Sequence, residues 1–337
     1  MFKIKQIIYC LLFILVVSGC NTNSTKTPVD TNIDSTQLSI EALNKEILNR
    51  PNNSTLYHKR AQAYFDKNDN PAAIADLQRS IKLDSGNIKS YLLLSDIYFK
   101  INKTSQTKAT LELCIKKNPE SIEALIKLAE LFFYVRKYSE SIELINKALK
   151  IDQYYSKGYF LKGLNFKELG DTTKAISSLQ TAVEQDPEYF HAYMELGLLF
   201  ATKNNPLALD YYNNALRIQP TNQDALYDRA LFYQDAGDYK TADSLYKKLL
   251  FHYPQHTNSL YNLGAMQLLQ NRNYANAITY FNDVIRFDST DFKAYYARAL
   301  CYQELGNNKQ TLADLQNTLR LNPTFTPAIE AYKKLTK

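Results

Sequence analysis

One pattern of residue sizes recurs through this 337-residue chain with a period of 34, and that period constrains the fold more than any other feature. Segments starting at Ser54, Ile88, Ile122, Ser156 and Phe190 follow one another at that spacing. The register continues from Gln223, Thr257 and Phe292, with one repeat of 33 residues (190–222) and one of 35 (257–291). The eighth residue of each segment is small: Ala61, Ser95, Ala129, Gly163, Gly197, Ala230, Gly264 and Ala299. The eleventh is Tyr64, Tyr98, Phe132, Phe166, Phe200, Tyr233, Gln267 and Tyr302, aromatic except at Gln267. A second ladder of small residues reads Ala73, Thr107, Ser141, Ala175, Ala208, Ala242, Ala277 and Thr311. Four residues after each comes a large apolar one: Leu77, Leu111, Ile145, Leu179, Tyr212, Tyr246, Phe281 and Leu315. Pro119, Pro187, Pro220, Pro254 and Pro323 close five of the repeats.

Two short amphipathic helices packed antiparallel explain the spacing. Small residues let the two backbones approach, aromatics fill the wedge to the next repeat, and proline stops the second helix. Breakers are scarce, with 9 glycines and 10 prolines, which favours helices over many-turned β structure. The pattern resembles the tetratricopeptide repeat (TPR), whose signature sets a large residue, a small one, an aromatic, an alanine, an aromatic and a proline at these offsets. The resemblance covers residues 38–337 and implies an all-α fold, a right-handed α-solenoid of about eight helix-turn-helix repeats with capping helices. The family's tryptophan is replaced by Tyr57, Tyr91, Leu125, Tyr159, Tyr193, Leu226, Leu260 and Tyr295. The 33- and 35-residue repeats change length between the small residue and the second-helix alanine, so both are expected to alter the turn joining the two helices.

The ends read as caps. Ser39-Ile40-Glu41 and Asn44-Lys45 match Ser141-Ile142-Glu143 and Asn146-Lys147, with Pro51 at the terminal-proline place. Residues 38–53 are therefore a lone second helix, 54–325 the eight repeats, and 326–337 a closing helix with Thr326-Pro327 as N-cap and first turn.

The first residues are an address. Lys3 and Lys5 precede an apolar run over residues 7–17, shorter than the ~20 residues a membrane-spanning helix needs. Val17-Ser18-Gly19-Cys20 resembles the lipobox of bacterial lipoproteins. That resemblance implies a signal peptide over residues 1–19, cleavage before Cys20, lipid on the Cys20 sulfur and an acylated new N-terminus. Asn21, where the family often has an inner-membrane-retaining Asp, points to the outer membrane of a Gram-negative envelope. Residues 20–37, rich in Asn, Thr and Ser, form a flexible lipid-anchored tether. Cys10 lies in the signal peptide, and Cys114 and Cys301 stand more than five repeats apart, too far for a disulfide and suited to buried small positions.

For function, the TPR resemblance implies that first helices line a concave groove through their fifth and ninth residues. The front of that groove is polar, with His58, Gln62, Asp96 and Glu130; its back is apolar, with Phe160, Leu164, Met194, Leu198, Tyr227, Leu231, Tyr261, Tyr296 and Leu300. These nine back residues are the candidate ligand-binding residues, and an apolar or amphipathic peptide is the ligand such a surface suits. The Lys/Asn clamp with which some TPRs grip a terminal carboxylate is missing. No phosphate loop, HExxH or GxSxG is present, so no catalytic residue is assigned and no cofactor is expected. His252 and His256 are separated by Pro254 and do not share a helical face, so no metal is expected there. Asp96 and Glu130 read as groove wall rather than as an acid–base pair. Net charge is +6 with no basic block, which argues against nucleic acid. The reading is a non-enzymatic scaffold that binds other envelope proteins or peptides and meets the membrane through its lipid. The alternative is a surface lipoprotein that captures glycans or peptides as nutrients, its tyrosines stacking on sugars.

Overall fold

A computed structural model describes residues 39–336, and all regular structure among them is helical: eighteen α-helices and no strand. The signal peptide, the lipid site Cys20 and the tether expected over residues 1–37 lie outside the described residues. The first helix, α1 (Ile40–Asn49), stands alone; Ser39 caps it, its Oγ accepting from the Ala42 amide at 3.2 Å. Eight pairs follow: α2 (Ser54–Asp66) with α3 (Asn70–Leu83), α4 (Ile88–Lys100) with α5 (Thr104–Lys117), α6 (Ile122–Tyr134) with α7 (Tyr138–Ile151), and α8 (Ser156–Glu168) with α9 (Thr172–Gln185). The series goes on with α10 (Phe190–Ala201) and α11 (Leu207–Ile218), then α12 (Gln223–Asp235) and α13 (Tyr239–His252). Next come α14 (Thr257–Leu269) and α15 (Tyr274–Phe287), and α16 (Phe292–Glu304) and α17 (Asn308–Leu321). α18 (Thr326–Leu335) closes the stack. Its cap residue is Phe325, which makes no side-chain capping bond. Thr326, expected as the cap, is instead the first helical residue, with Pro327 beside it where a missing amide costs nothing.

The small-over-large ladder is the contact between the two helices of each pair. A β-carbon added to Gly163 would lie 2.7 Å from Leu179 Cγ; at Gly197 it would lie 2.5 Å from Tyr212 Cε1, and at Gly264 2.8 Å from Phe281 Cε1. Alanine suffices opposite Leu77, Ile145, Tyr246 and Leu315, all fully buried. The substituted tyrosines keep a polar handle that ties down the loop before their own helix. Tyr57, Tyr91 and Tyr159 each donate their hydroxyl to the carbonyl six residues earlier, at Pro51 (3.0 Å), Ser85 (3.3 Å) and Gln153 (3.0 Å).

Every turn between paired helices passes through one left-handed residue: Asn68, Asn102, Arg136, Gly170, Asn204, Gly237, Arg272 and Gly306. The very next amide closes each regular turn onto the carbonyl of the eleventh residue, as Asp69 does to Tyr64 (2.8 Å) and Lys137 to Phe132 (2.7 Å). The extra residue of the 35-residue repeat sits in this turn, so Asn273, one place later, closes onto Gln267 at 2.9 Å. The 33-residue repeat keeps its turn, with Asn205 closing onto Phe200 at 3.0 Å. It shortens the second helix instead: α11 has 12 residues where the other second helices have 14.

Successive first helices pack directly on one another, α2 on α4, α4 on α6, α6 on α8, α10 on α12 and α14 on α16. Successive second helices do not pack to that degree. A stack whose first helices lie closer together curves toward them, so they line the concave side. The deepest core spans α4 to α8, around Tyr91, Leu111, Leu125, Ile126 and Ile145. Cys114 and Cys301 are buried and free, with thiols pushed up to about 11 by burial.

Candidate functional site: the face of the first helices

The concave face is built from residues that recur at fixed places along α4, α6, α8, α10, α12, α14 and α16. Its polar front is stitched between repeats. Lys127 donates to Asp96 at 2.6 Å, and Lys157 pairs with Glu130 at 2.7 Å. Farther back, Lys167 donates to Glu195 at 2.6 Å. Asp96 and Glu130 thus each answer a lysine of the next repeat, as groove walls do. His58 is turned inward, its Nδ1 3.2 Å from Ser90 Oγ, and burial lowers its pKa.

The nine candidate residues at the back fall into three situations. Leu164 is 8% exposed and belongs to the core. Phe160, Met194, Tyr227, Leu231, Tyr261, Tyr296 and Leu300 are half-buried. Leu198 alone of the nine is exposed, at 41%. The tyrosine rings are engaged with neighbours: Tyr261 meets Phe281 edge-on at 5.6 Å, Tyr296 meets Phe325 at 5.1 Å, and Tyr227 lies 5.9 Å from Tyr246 and 5.2 Å from His256. Burial raises the pKa of Tyr261 and Tyr296. Asn262 binds this group together, donating Nδ2 to Tyr246 Oη (2.8 Å) and Tyr227 Oη (3.3 Å).

Two features escaped the fifth-and-ninth-residue rule. Phe99 and Tyr134, at the ends of α4 and α6, form an edge-on pair at 5.3 Å and are 43% and 64% exposed. They are the twelfth and thirteenth residues of their repeats, one helical turn past the ninth, and helical periodicity alone would have included them. Asp228, the sixth residue of its repeat, is a half-buried carboxylate whose pKa is pushed up to about 7, first by burial and then by the charges of Asp224 and Glu195.

Among the described residues no group of three or more His, Cys, Asp and Glu side chains could hold a metal. His252 ends α13, while His256 caps α14, its Nδ1 accepting from the Ser259 amide at 3.2 Å. No helix among the described residues is long and apolar enough to cross a membrane.

Tetratricopeptide-repeat profiles match residues 54–87, 89–121, 160–223 and 227–292, together more than half of the chain. The chain belongs to the tetratricopeptide repeat family. It is 22% identical over 192 residues to a TPR repeat-containing protein of Methanocaldococcus jannaschii, a match covering 54% of this chain and 34% of that one. It is 22% identical over 182 residues to the protein O-mannosyl-transferase TMTC3 of Homo sapiens, covering 53% of this chain and 20% of that one. With the Hsp70-Hsp90 organizing protein of Triticum aestivum it shares 35% identity over 60 residues, 18% of this chain and 10% of that one. The chain thus spans about a third or less of these relatives. Among solved structures, the C-terminal part of a TPR repeat-containing protein from Cytophaga hutchinsonii superposes with a TM-score of 0.61 at 22% identity, covering 71% of this chain and 98% of that one. A tetratricopeptide repeat protein from Parabacteroides merdae gives 0.52 at 16% identity, covering 74% and 99%. These likenesses show the TPR fold.

Proposed function

We propose that this TPR protein is a non-enzymatic adaptor of the bacterial cell envelope that holds partner polypeptides on its concave face. One observation carries the reading: first helices pack on one another along much of the stack, and the face they form leaves Leu198, Phe99 and Tyr134 open to solvent. Apolar side chains exposed on a curved, pre-formed surface are what a peptide or helix needs to dock without reordering its host. The Hsp70-Hsp90 organizing protein, whose name describes an organising role between two chaperones, supports an adaptor role for repeats of this kind. Anchoring rests on the lipobox-like Val17-Ser18-Gly19-Cys20, which would place the adaptor on the envelope, at the outer membrane, and raise its local concentration near membrane-bound partners. A sugar-binding surface is less well supported, because stacking needs open ring faces and Tyr227, Tyr261 and Tyr296 already lie against other rings.

The test is mild cross-linking of the full chain in its own cells. Native protein should retain a defined set of envelope proteins. Leu198→Glu, a charge on the open inner face, should lose them, while Phe251→Glu on the outer α13, 82% exposed, should not. Equal retention by all three would put binding elsewhere. A fatty-acid label that incorporates into native protein and not into Cys20→Ser would establish the anchor; equal labelling of both would remove it.

A further inference from the structure

The inner face carries carboxylates at three places where a lysine of an adjacent repeat neutralises them: Asp96 with Lys127, Glu130 with Lys157 and Glu195 with Lys167. Asp228 breaks this series. It is the sixth residue of its repeat, in line with Lys127 and Glu195, and it takes part in no ion pair among the described residues.

The register shows why. Lys127 is met by the ninth residue of the repeat before it, and Glu195 by the twelfth residue of the repeat before it. The ninth and twelfth residues of the repeat preceding Asp228 are Leu198 and Ala201. By the same register, the places from which a lysine would reach Asp228 hold apolar side chains, and one of them, Leu198, is exposed. Asp228 feels the negative charges of Asp224 on the same helix and of Glu195 on α10, the latter answered by Lys167 at 2.6 Å. Tyr212 of α11 and Tyr246 of α13, both buried, lie near enough to feel its charge. A desolvated carboxylate among like charges is unfavourable unless a cation meets it. A lysine or arginine suits such a place, since its methylene stem lies along apolar surface while its head reaches the charge.

We propose that the groove at the fifth to seventh repeats receives a basic side chain of a partner polypeptide, its stem on Leu198 and its cationic head on Asp228. This rests on the groove reading above and names the partner's chemistry: an apolar segment bearing lysine or arginine. Charge complementarity selects this occupant, because an uncharged glycan or an acidic tail leaves Asp228 unanswered.

The test pans a random dodecapeptide phage library on the purified full chain and measures enriched peptides by fluorescence anisotropy. Enriched sequences should place Lys or Arg beside apolar residues. Asp228→Asn should weaken the best of them about tenfold or more while keeping native helicity by circular dichroism, and Asp228→Lys should enrich acidic peptides instead. If enriched peptides are indifferent to charge and bind Asp228→Asn equally, yet are lost in Leu198→Glu, the basic-side-chain assignment is overturned and the groove reading stands. If nothing enriched responds to Leu198→Glu either, the groove reading falls with it.

Discussion

Asp228 shows what a single residue contributes to binding and what it costs in stability. Its carboxyl has a folded-state pKa near 7 against ~3.9 for an exposed aspartate, so folding disfavours the charged form. The resulting penalty is absent below about pH 4, grows between pH 4 and 7 and is complete above 7. Asp224, Glu195, Tyr212 and Tyr246 are the titratable groups facing it, and none supplies a positive charge. Asp228→Asn should therefore stabilise the protein at pH 8 by on the order of 2–3 kcal/mol and have little effect near pH 4, read from urea melts at both. A pH-independent difference would refute the assignment. Gly197 makes the opposite case, a residue present for its lack of a side chain. Gly197→Ala drives a β-carbon into Tyr212 and should cost about 1–3 kcal/mol in denaturant midpoint. Adding Tyr212→Leu restores the Ala–Leu pairing seen at Ala61–Leu77 and Ala299–Leu315 and should recover part of that loss, a non-additivity expected of residues in contact.

At the scale of the element, the turn after each first helix repeats one geometry on different residues. Glycine occupies the left-handed position in Gly170, Gly237 and Gly306, and asparagine, which tolerates it, in Asn68, Asn102 and Asn204. Arg136 and Arg272 hold the same conformation at φ 60° and 49°, where a β-carbon is unfavourable by roughly 1–2 kcal/mol. Arg136→Gly and Arg272→Gly should each raise stability by about 0.5–1 kcal/mol after the backbone entropy of glycine is set against that relief. Gly237→Ala should lower it by a similar amount. Chemical denaturation of the three variants decides; a loss with Arg136→Gly would mean the arginine side chain stabilises the fold by contacts larger than the strain. The turn is also where the two irregular repeats separate. One extra residue is absorbed in the loop before α15, whereas one missing residue is taken from the start of α11, because the Schellman-type closure onto Phe200 was kept.

Across the whole molecule, each helix contacts its sequence neighbours and little else, so the stack behaves as a one-dimensional array. Its stability is graded. The largest core surrounds α6, while α18 buries only Ala328 fully and α1 only Leu43 and Ile47. Native-state hydrogen exchange should therefore be slowest in α6 and fastest in α1 and α18, with opening free energies falling outward by several kcal/mol. Uniform protection along the stack would contradict the array picture. Helix-to-helix ion pairs on the inner face, such as Lys157–Glu130, are partly exposed and add little to this gradient.

Period and residue size along the chain were enough to specify the architecture. A repeated small residue can pack only against a repeated large one at helical spacing, so the pairs Gly197–Tyr212 and Gly264–Phe281 and the helix starts at Ser54 or Phe292 were legible as period and size. The inner face was less so. Position alone marks a residue as first-helix and groove-side, but whether it meets solvent depends on what the adjacent repeats place against it. Leu164 and Leu198 hold the same position in neighbouring repeats; one is sealed into the core and the other stands open. Asp228 looked like any helix carboxylate until the stacking brought Leu198 and Ala201 to the places from which a lysine would have answered it. Periodicity is a property of one repeat and can be read along the chain, whereas exposure and charge balance arise between repeats, and only their packing decides them.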